Sequence, residues 1–348
     1  MCCTEDWAIP VEAQLYRRLT QALESSALQP EHGSATFFEP AHALSADEPV
    51  VTGRVGRDCA FFEPGRGRLC AIHRQFGHDH LPSACQHFPR VVTIDPRGVF
   101  VSLSHVCPTV GRLLAEPLAA PFDLVHEGPV VTPGLPWAGL DARDALPPQV
   151  SPEILWDWDA LTHWERGILD LLERLSPERA LSAVADAARH VERWRPGRDR
   201  SLAAAADAVL GAAGVDPSRR EIDIDLLDGL ARQAAPHALP ADTALSDRYA
   251  ADQEFVAPGW EGYGSIVSRY LAARTIANAV GYHAASARAC AASLDAAYAV
   301  LRTEAARQAS RAGRVLDAEL LVAAAADADR LLVHRIDAAR LAHTLLAL

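Results

Sequence analysis

Four cysteines, Cys59, Cys70, Cys85 and Cys107, fall within one short stretch at the spacing C-x10-C-x14-C-x21-C, with His73, His78, His80, His87 and His105 among them. Cys2 and Cys3 form a second group, and Cys290 stands alone. Thiolates are ligands for soft and borderline metals, chiefly zinc and the irons of iron–sulfur clusters. A structural zinc site usually shows paired C-x2-C knuckles. Singly dispersed cysteines suit a cluster gathered from several loops, or a zinc site of unusual connectivity. Cys70-Ala-Ile-His73 is a C-x2-H pair with chelating spacing, and His78-Asp79-His80 offers two imidazoles with a carboxylate, although an exposed loop explains that tripeptide as well. Unligated buried thiols are the competing explanation for any cysteine. That is the preferred reading of Cys290, which lies in an alanine-rich helical stretch.

The rest of the composition narrows the chemistry. All 33 basic residues are arginine, so no lysine Schiff base or P-loop lysine is available. The net charge of −12 argues against a general nucleic-acid binder. Residues 51–112 run against that trend. Eight arginines face four carboxylates there, a local +4 that leaves −16 for the remainder. Such a basic island would stabilise anionic thiolates or hold an anionic ligand; a solvated arginine surface is the plain alternative. No apolar run approaches the roughly 18 to 20 residues that span a bilayer. The opening MCCTEDWAIP lacks the basic and apolar regions of a secretory signal. The expectation is a cytoplasmic protein, in which clustered cysteines serve as metal ligands more often than as disulfides.

The elements that must position these residues divide in three. Residues 1–115 read as a loop-rich cysteine-cluster metal module. It opens with a helix over Val11–Ser26 (Val11, Leu15, Leu19 and Leu23 at every fourth position), followed by a short strand at Cys59–Phe62. A β-hairpin, Arg90–Ile94 and Gly98–Ser104, turns at Asp95-Pro96-Arg97-Gly98. So little regular structure buries little core, and a bound metal would supply folding free energy on the order of 10 kcal/mol. Residues 116–151 are a Pro-rich connection. Residues 152–348 read as a helical domain, a bundle of helices near Ile154–Leu175, Ser176-Pro177-Glu178 onward, Ser201–Ala213, Asp223–Ala235, Gly264–Gly281, Ala284–Ala312, Leu316–Asp327 and Ala328–Leu346. Gly313 is a stop signal for the longest of these. The fold class expected is mainly α.

Several segments carry a resemblance. Cys3-Thr4-Glu5-Asp6-Trp7-Ala8-Ile9-Pro10-Val11 with Tyr16, Cys59-Ala-Phe-Phe, Leu69-Cys70-Ala-Ile-His73, Gly77, Leu81-Pro82, Cys85-Gln-His-Phe88-Pro89-Arg90 and Leu103-Ser104-His-Val-Cys107-Pro108 are similar, in order, to motifs of the flagellin lysine-N-methylase family. That family belongs to a wider group of zinc- or iron-chelating cysteine-cluster proteins. Ser268-Arg269-Tyr270-Leu271-Ala-Ala-Arg274 resembles its tyrosine-containing helix, and Asp327-Ala-Asp-Arg330 with His334 its final arginine–histidine helix. The resemblance implies a metal-containing enzyme, with an iron–sulfur cluster (4Fe–4S) or zinc, transferring methyl from S-adenosylmethionine to protein lysine. It implies Cys2, Cys3, Cys59, Cys70, Cys85 and Cys107 as the metal ligands. Arg90, directly after the Cys85 turn, is the candidate cofactor-contacting residue, stabilising cluster charge or orienting substrate. The residues alone add no donor-binding signature: no G-x-G-x-x-G follows a strand, and Gly259-Trp-Glu-Gly262-Tyr-Gly264 reads as a loop before a helix.

Three functions stand side by side. One is a lysine-N-methylase-like modifying enzyme. Another is an iron- or cluster-dependent enzyme of small-molecule biosynthesis on the same scaffold. The last is a non-catalytic zinc-stapled adaptor. The expected partners are a protein substrate or a small molecule, with no nucleic acid and no membrane.

Overall fold

The structure is a computed structural model; it describes residues 2–5, 9–33, 36–40, 50–117, 125–126, 139–212, 250–276, 279–284, 286–336 and 338–346. Of these, 58% are helical and 13% lie in strands, which form small sheets. The predicted helix over Asp223–Ala235 and most of the Pro-rich connection lie outside the described residues. None of the described helices is long and apolar enough to cross a membrane.

The chain forms two compact units: Met1–Arg90 with Val131–Ala138, and Val91–Val130 with Gly139–Leu348. The hairpin and the Cys107 segment, grouped by sequence with the cysteine module, therefore belong to the second unit. Strand pairing explains this, because the hairpin's first strand pairs in parallel with Gly139–Asp141.

The first unit is built from short pieces. They are β1 (Pro10–Val11), α1 (Ala13–Glu24), β2 (Phe38–Pro40), β3 (Val50–Thr52), β4 (Arg54–Val55), β5 (Asp58–Cys59), β6 (Phe62–Glu63), β7 (Leu69–Cys70), α2 (Ala71–Phe76) and α3 (Ser83–His87). An antiparallel sheet of order β1-β3-β2 and two minimal hairpins, β4–β5 and β6–β7, supply its pairing. The fourfold spacing does put Leu15 and Leu19 into the core from α1, while Val11 reaches it from β1. The expected strand at Cys59–Phe62 is instead two, because Ala60 and Phe61 break the pairing and are themselves buried. The core is small: Val11, Leu15, Leu19, Leu28, Phe61, Phe62, Ala71, Ile72 and Leu81, together with Cys59. Beside it the fully buried Glu63 is gripped by Arg74 through Nε and Nη2 at 2.6 and 3.0 Å. That bond holds the Glu63 carboxyl below its usual range, against the opposing effect of burial.

The second unit opens with β8 (Arg90–Asp95, entered from the first unit's last residue) and β9 (Gly98–Leu103), neighbours in a sheet of order β10-β8-β9 with β10 (Gly139–Asp141). The turn between them is clamped by Arg97, whose guanidinium pairs with Asp95 and Glu165 and lies over the Phe100 ring. After α4 (Pro108–Ala115) and the hairpin of β11 (Gln149–Ser151) and β12 (Ile154–Leu155), helices dominate. These are α5 (Trp158–Arg174), α6 (Pro177–Val191), α7 (Leu202–Ala212), α8 (Gly264–Ile276), α9 (Ala279–His283), α10 (Ala287–Ala312), α11 (Ala318–Leu332) and α12 (Ala338–Leu346). Ser176 stands at the N-cap position of α6 ahead of Pro177 at N1, as the sequence indicates, without a side-chain capping hydrogen bond. Gly313 ends α10 in the left-handed region at φ 60°, where a side chain would be strained. Alanines along α10, among them Ala297, Ala305 and Ala309, are buried and allow close packing against α11. Trp156 and Trp164 are buried with ring centroids 5.4 Å apart, so they serve the core. In the Gly259–Gly264 segment Trp260 is buried and donates from Nε1 to Glu178 and Tyr298, a packing role.

Candidate functional site

Two groups of chemistry-bearing residues stand out, one in each unit. In the first unit four thiols reach one core from four separate pieces of chain. Cys3 sits in the 3-10 turn Cys2–Thr4, which packs against β5. Cys59 ends β5, Cys70 ends β7 and precedes α2, and Cys85 lies in α3. Cys59 is part of the hydrophobic core, and Cys3, Cys70 and Cys85 pack against it. None of these four is in a disulfide, nor are Cys107 and Cys290. The donor chemistry fits a soft metal. Among the described residues, however, no three Cys, His, Asp or Glu side chains form a ready-made cation cage.

The surroundings of the thiols refine the picture of a basic island. Arg66 and Arg74 are committed to Glu63, and Arg97 is committed to Asp95 and Glu165 in the second unit. Arg90 is half-buried at the start of β8. Burial, then the charges of Arg90 and His78, pushes the His87 imidazole down from its ordinary value. The His73 and His78 rings lie 6.0 Å apart, and His78, Asp79 and His80 are an exposed 3-10 turn.

Cys107 lies in the second unit. The chain leaves β9 through a turn closed by the Cys107 N–H donating to the Ser104 carbonyl at 3.2 Å, and Cys107 then stands at the N-cap position of α4. This turn carries the other polar group. His105 donates from its backbone N–H to Asp329 Oδ2 at 2.7 Å, and its Nδ1 lies 2.9 Å from the same oxygen. Ser104 Oγ lies 2.8 Å from His334 Nε2. Tyr270 of α8 sets its ring against that of His105, with centroids 5.2 Å apart. Asp329 on α11 and Tyr270 are 1% and 0% exposed. Burial alone would raise the Asp329 carboxyl, but the charge and hydrogen bonds of His105, with Arg274 behind them, bring it below its ordinary value. Burial, then the charge of Asp329, drives the Tyr270 hydroxyl well upward. Asp329 is thus near enough to act on Tyr270, yet neither the hydroxyl nor Asp329 Oδ1 finds an aligned hydrogen-bond partner.

The supporting elements explain how the turn is held. Gly111 of α4 faces Val322 of α11 so closely that a β-carbon would come within 2.6 Å of Val322 Cγ1. At the other end of α4, Arg269 of α8 donates to the Glu116 carbonyl at 2.6 Å. Ser104, His105, Tyr270, Arg274, Asp329 and His334 all fall on three of the segments that carry the family resemblance. Sequence reasoning quoted those segments but gave His105 and Asp329 no role. Comparison with protein families, with curated proteins and with solved structures finds no match to this chain.

Proposed function

We propose that the chain is a metal-dependent modifying enzyme of the lysine-N-methylase-like type. Its metal, an iron–sulfur cluster or zinc, is held by thiolates of the first unit, with Cys2, Cys3, Cys59, Cys70 and Cys85 as the donors there. The observation that carries this reading is the gathering of four thiols from four separate pieces of chain on one small core. A fold that only needed small apolar residues has no reason to place cysteine at each of those points. A cluster bound there supplies electron-transfer chemistry. The protein's own contribution is to exclude water with Phe61, Phe62 and Ile72 and to place Arg90 beside the anionic centre. The convergence of the three other resembling segments on His105, Tyr270 and Asp329 supports an enzyme rather than a stapled adaptor, since an adaptor needs no buried polar group of this kind. Protein lysine is the acceptor and S-adenosylmethionine the donor on this reading, and a reducing, cytoplasmic setting fits the thiol state of the described cysteines.

The test is elemental and sulfide analysis, with an absorption spectrum, on protein purified without oxygen, followed by assay with labelled methyl donor. Iron with acid-labile sulfide and labelled lysine is the expected result. Iron without sulfide points to the small-molecule enzyme, and stoichiometric zinc with no methyl transfer to the adaptor.

A further inference from the structure

We infer that β9 is a docking edge for an extended, lysine-bearing segment of protein substrate, which adds to the sheet as a further strand. The inference rests on the reading of this chain as an enzyme acting on protein lysine, and it names the surface that receives the acceptor. The strand order β10-β8-β9 leaves β9 at the edge of its sheet. Among the described residues no backbone hydrogen bond leads from β9 to anything outside that sheet. An edge strand bonds to its one neighbour through alternate residues, so the residues between them present N–H and C=O groups to solvent.

The side chains agree. Val99, Val101 and Leu103 alternate along β9, share one face and are 50%, 40% and 38% exposed. Phe100 and Ser102, on the other face, are half-buried. The neighbouring strand β8 is buried over Val91–Asp95. Soluble proteins blunt such edges with charged side chains or proline. Gly98-Val-Phe-Val-Ser-Leu103 carries neither. An unblunted edge beside an apolar stripe is the arrangement used in strand addition, where main-chain bonds supply affinity and the stripe selects the side chains laid against it.

Two observations choose the occupant. A second copy of the chain needs roughly 20 to 30 residues a side for a stable interface. Here β9 offers three exposed apolar side chains, enough for one added peptide strand. Charge gives the other observation. Residues 91–348 hold 25 arginines against 34 aspartates and glutamates, a net −9, while β9 itself is uncharged. That field favours a cationic segment over an acidic one.

The experiment mixes the full chain, purified without oxygen, with peptides of about ten residues that alternate valine and threonine around one central lysine, or glutamate in its place. Binding is read by fluorescence anisotropy, and its location by hydrogen exchange of residues 98–103. The lysine peptide should protect those amides and bind more tightly than the glutamate peptide, by a margin that added salt shrinks. A lysine peptide N-methylated at alternate amides, which cannot complete a ladder, should not bind. Val101→Lys should weaken binding at least about tenfold, whereas Val315→Lys, at another exposed valine, should bind as the wild type does. No protection of β9 by the lysine peptide, or wild-type affinity in Val101→Lys, overturns the proposal. Concentration-dependent dimerisation of the wild type that Val101→Lys abolishes also overturns it, since the occupant is then a second copy. A labelled methyl donor separates this proposal from the reading it rests on. Peptide held on β9 without transfer of label leaves the docking edge standing and removes the methylase reading. Label transferred equally by wild type and Val101→Lys keeps the methylase reading and removes the docking edge.

Discussion

The two units solve the problem of a stable interior in opposite ways. The first has a core of about ten residues, two-residue strands and helices of five and six residues outside α1. The second buries long faces of α5, α6, α10 and α11 in one continuous cluster. Its polar groups are also different in kind. The first unit keeps soft donors in and against its core, whereas the second buries His105, Asp329 and Tyr270, with His105 paired to Asp329 Oδ2 and the Tyr270 hydroxyl and Asp329 Oδ1 left without an aligned partner. The contrast teaches where a bound metal, on the proposed reading, would matter most: in the part with the small core rather than the part with the large one. Short strands and turns cannot bury enough apolar surface to offset chain entropy, so an added cross-link by metal is worth most there.

Metal removal should break this contrast most severely. Chelation of the anaerobically purified protein is expected to abolish hydrogen-exchange protection in residues 50–90, a loss on the order of 10 kcal/mol, while α10 and α11 keep theirs. Equal protection of both regions after chelation would mean that the first unit holds itself together. Next in size is a core truncation in the second unit. Leu321→Ala removes a side chain that is 0% exposed and should cost about 3 kcal/mol in urea unfolding, with metal content unchanged.

A smaller, pH-dependent effect comes from Glu63. Its carboxyl is held below the ordinary value of 4.5 in the folded state. The stabilisation is therefore present above that value and lost as pH falls through the window beneath it. Glu63→Gln should flatten the decline in thermal midpoint over that window relative to wild type; parallel curves would show that the Arg74 bond contributes nothing. The smallest effect is expected at Cys290. Its thiol is pushed up to about 12 by burial and then by the charges of Glu165 and Glu192, which disfavours the thiolate. Cys290→Ala should leave metal content intact and shift stability by less than about 2 kcal/mol, and a fall in metal would make it a ligand.

Local signals made much of the fold legible. The spacing of leucines marks α1, Ser176-Pro177 starts α6, and Gly313 ends α10. Element boundaries went astray in places, the helix over Leu316–Asp327 among them. The sequence splits helices between Asp327 and Ala328, whereas α11 runs on to Leu332. Alanine carries no stop signal, and Asp329, which looks like a surface residue, turns inward because His105 meets it there. That meeting joins positions 224 residues apart, which no periodicity or cap can register. The thiols were legible because cysteine is rare and their flanking residues are distinctive. Their gathering on one core depends on tertiary packing, as does the loss of Arg66, Arg74 and Arg97 from the free basic surface.

The central claim is that the gathered thiols hold a metal. It is met most directly by measuring the metal-to-protein ratio of the full chain purified without oxygen, beside the variant in which Cys59, Cys70 and Cys85 are all serine. The account predicts at least one equivalent of iron or zinc in the wild type and a variant nearly devoid of it. Equal metal content in the two proteins, or a wild type without bound metal, would contradict it.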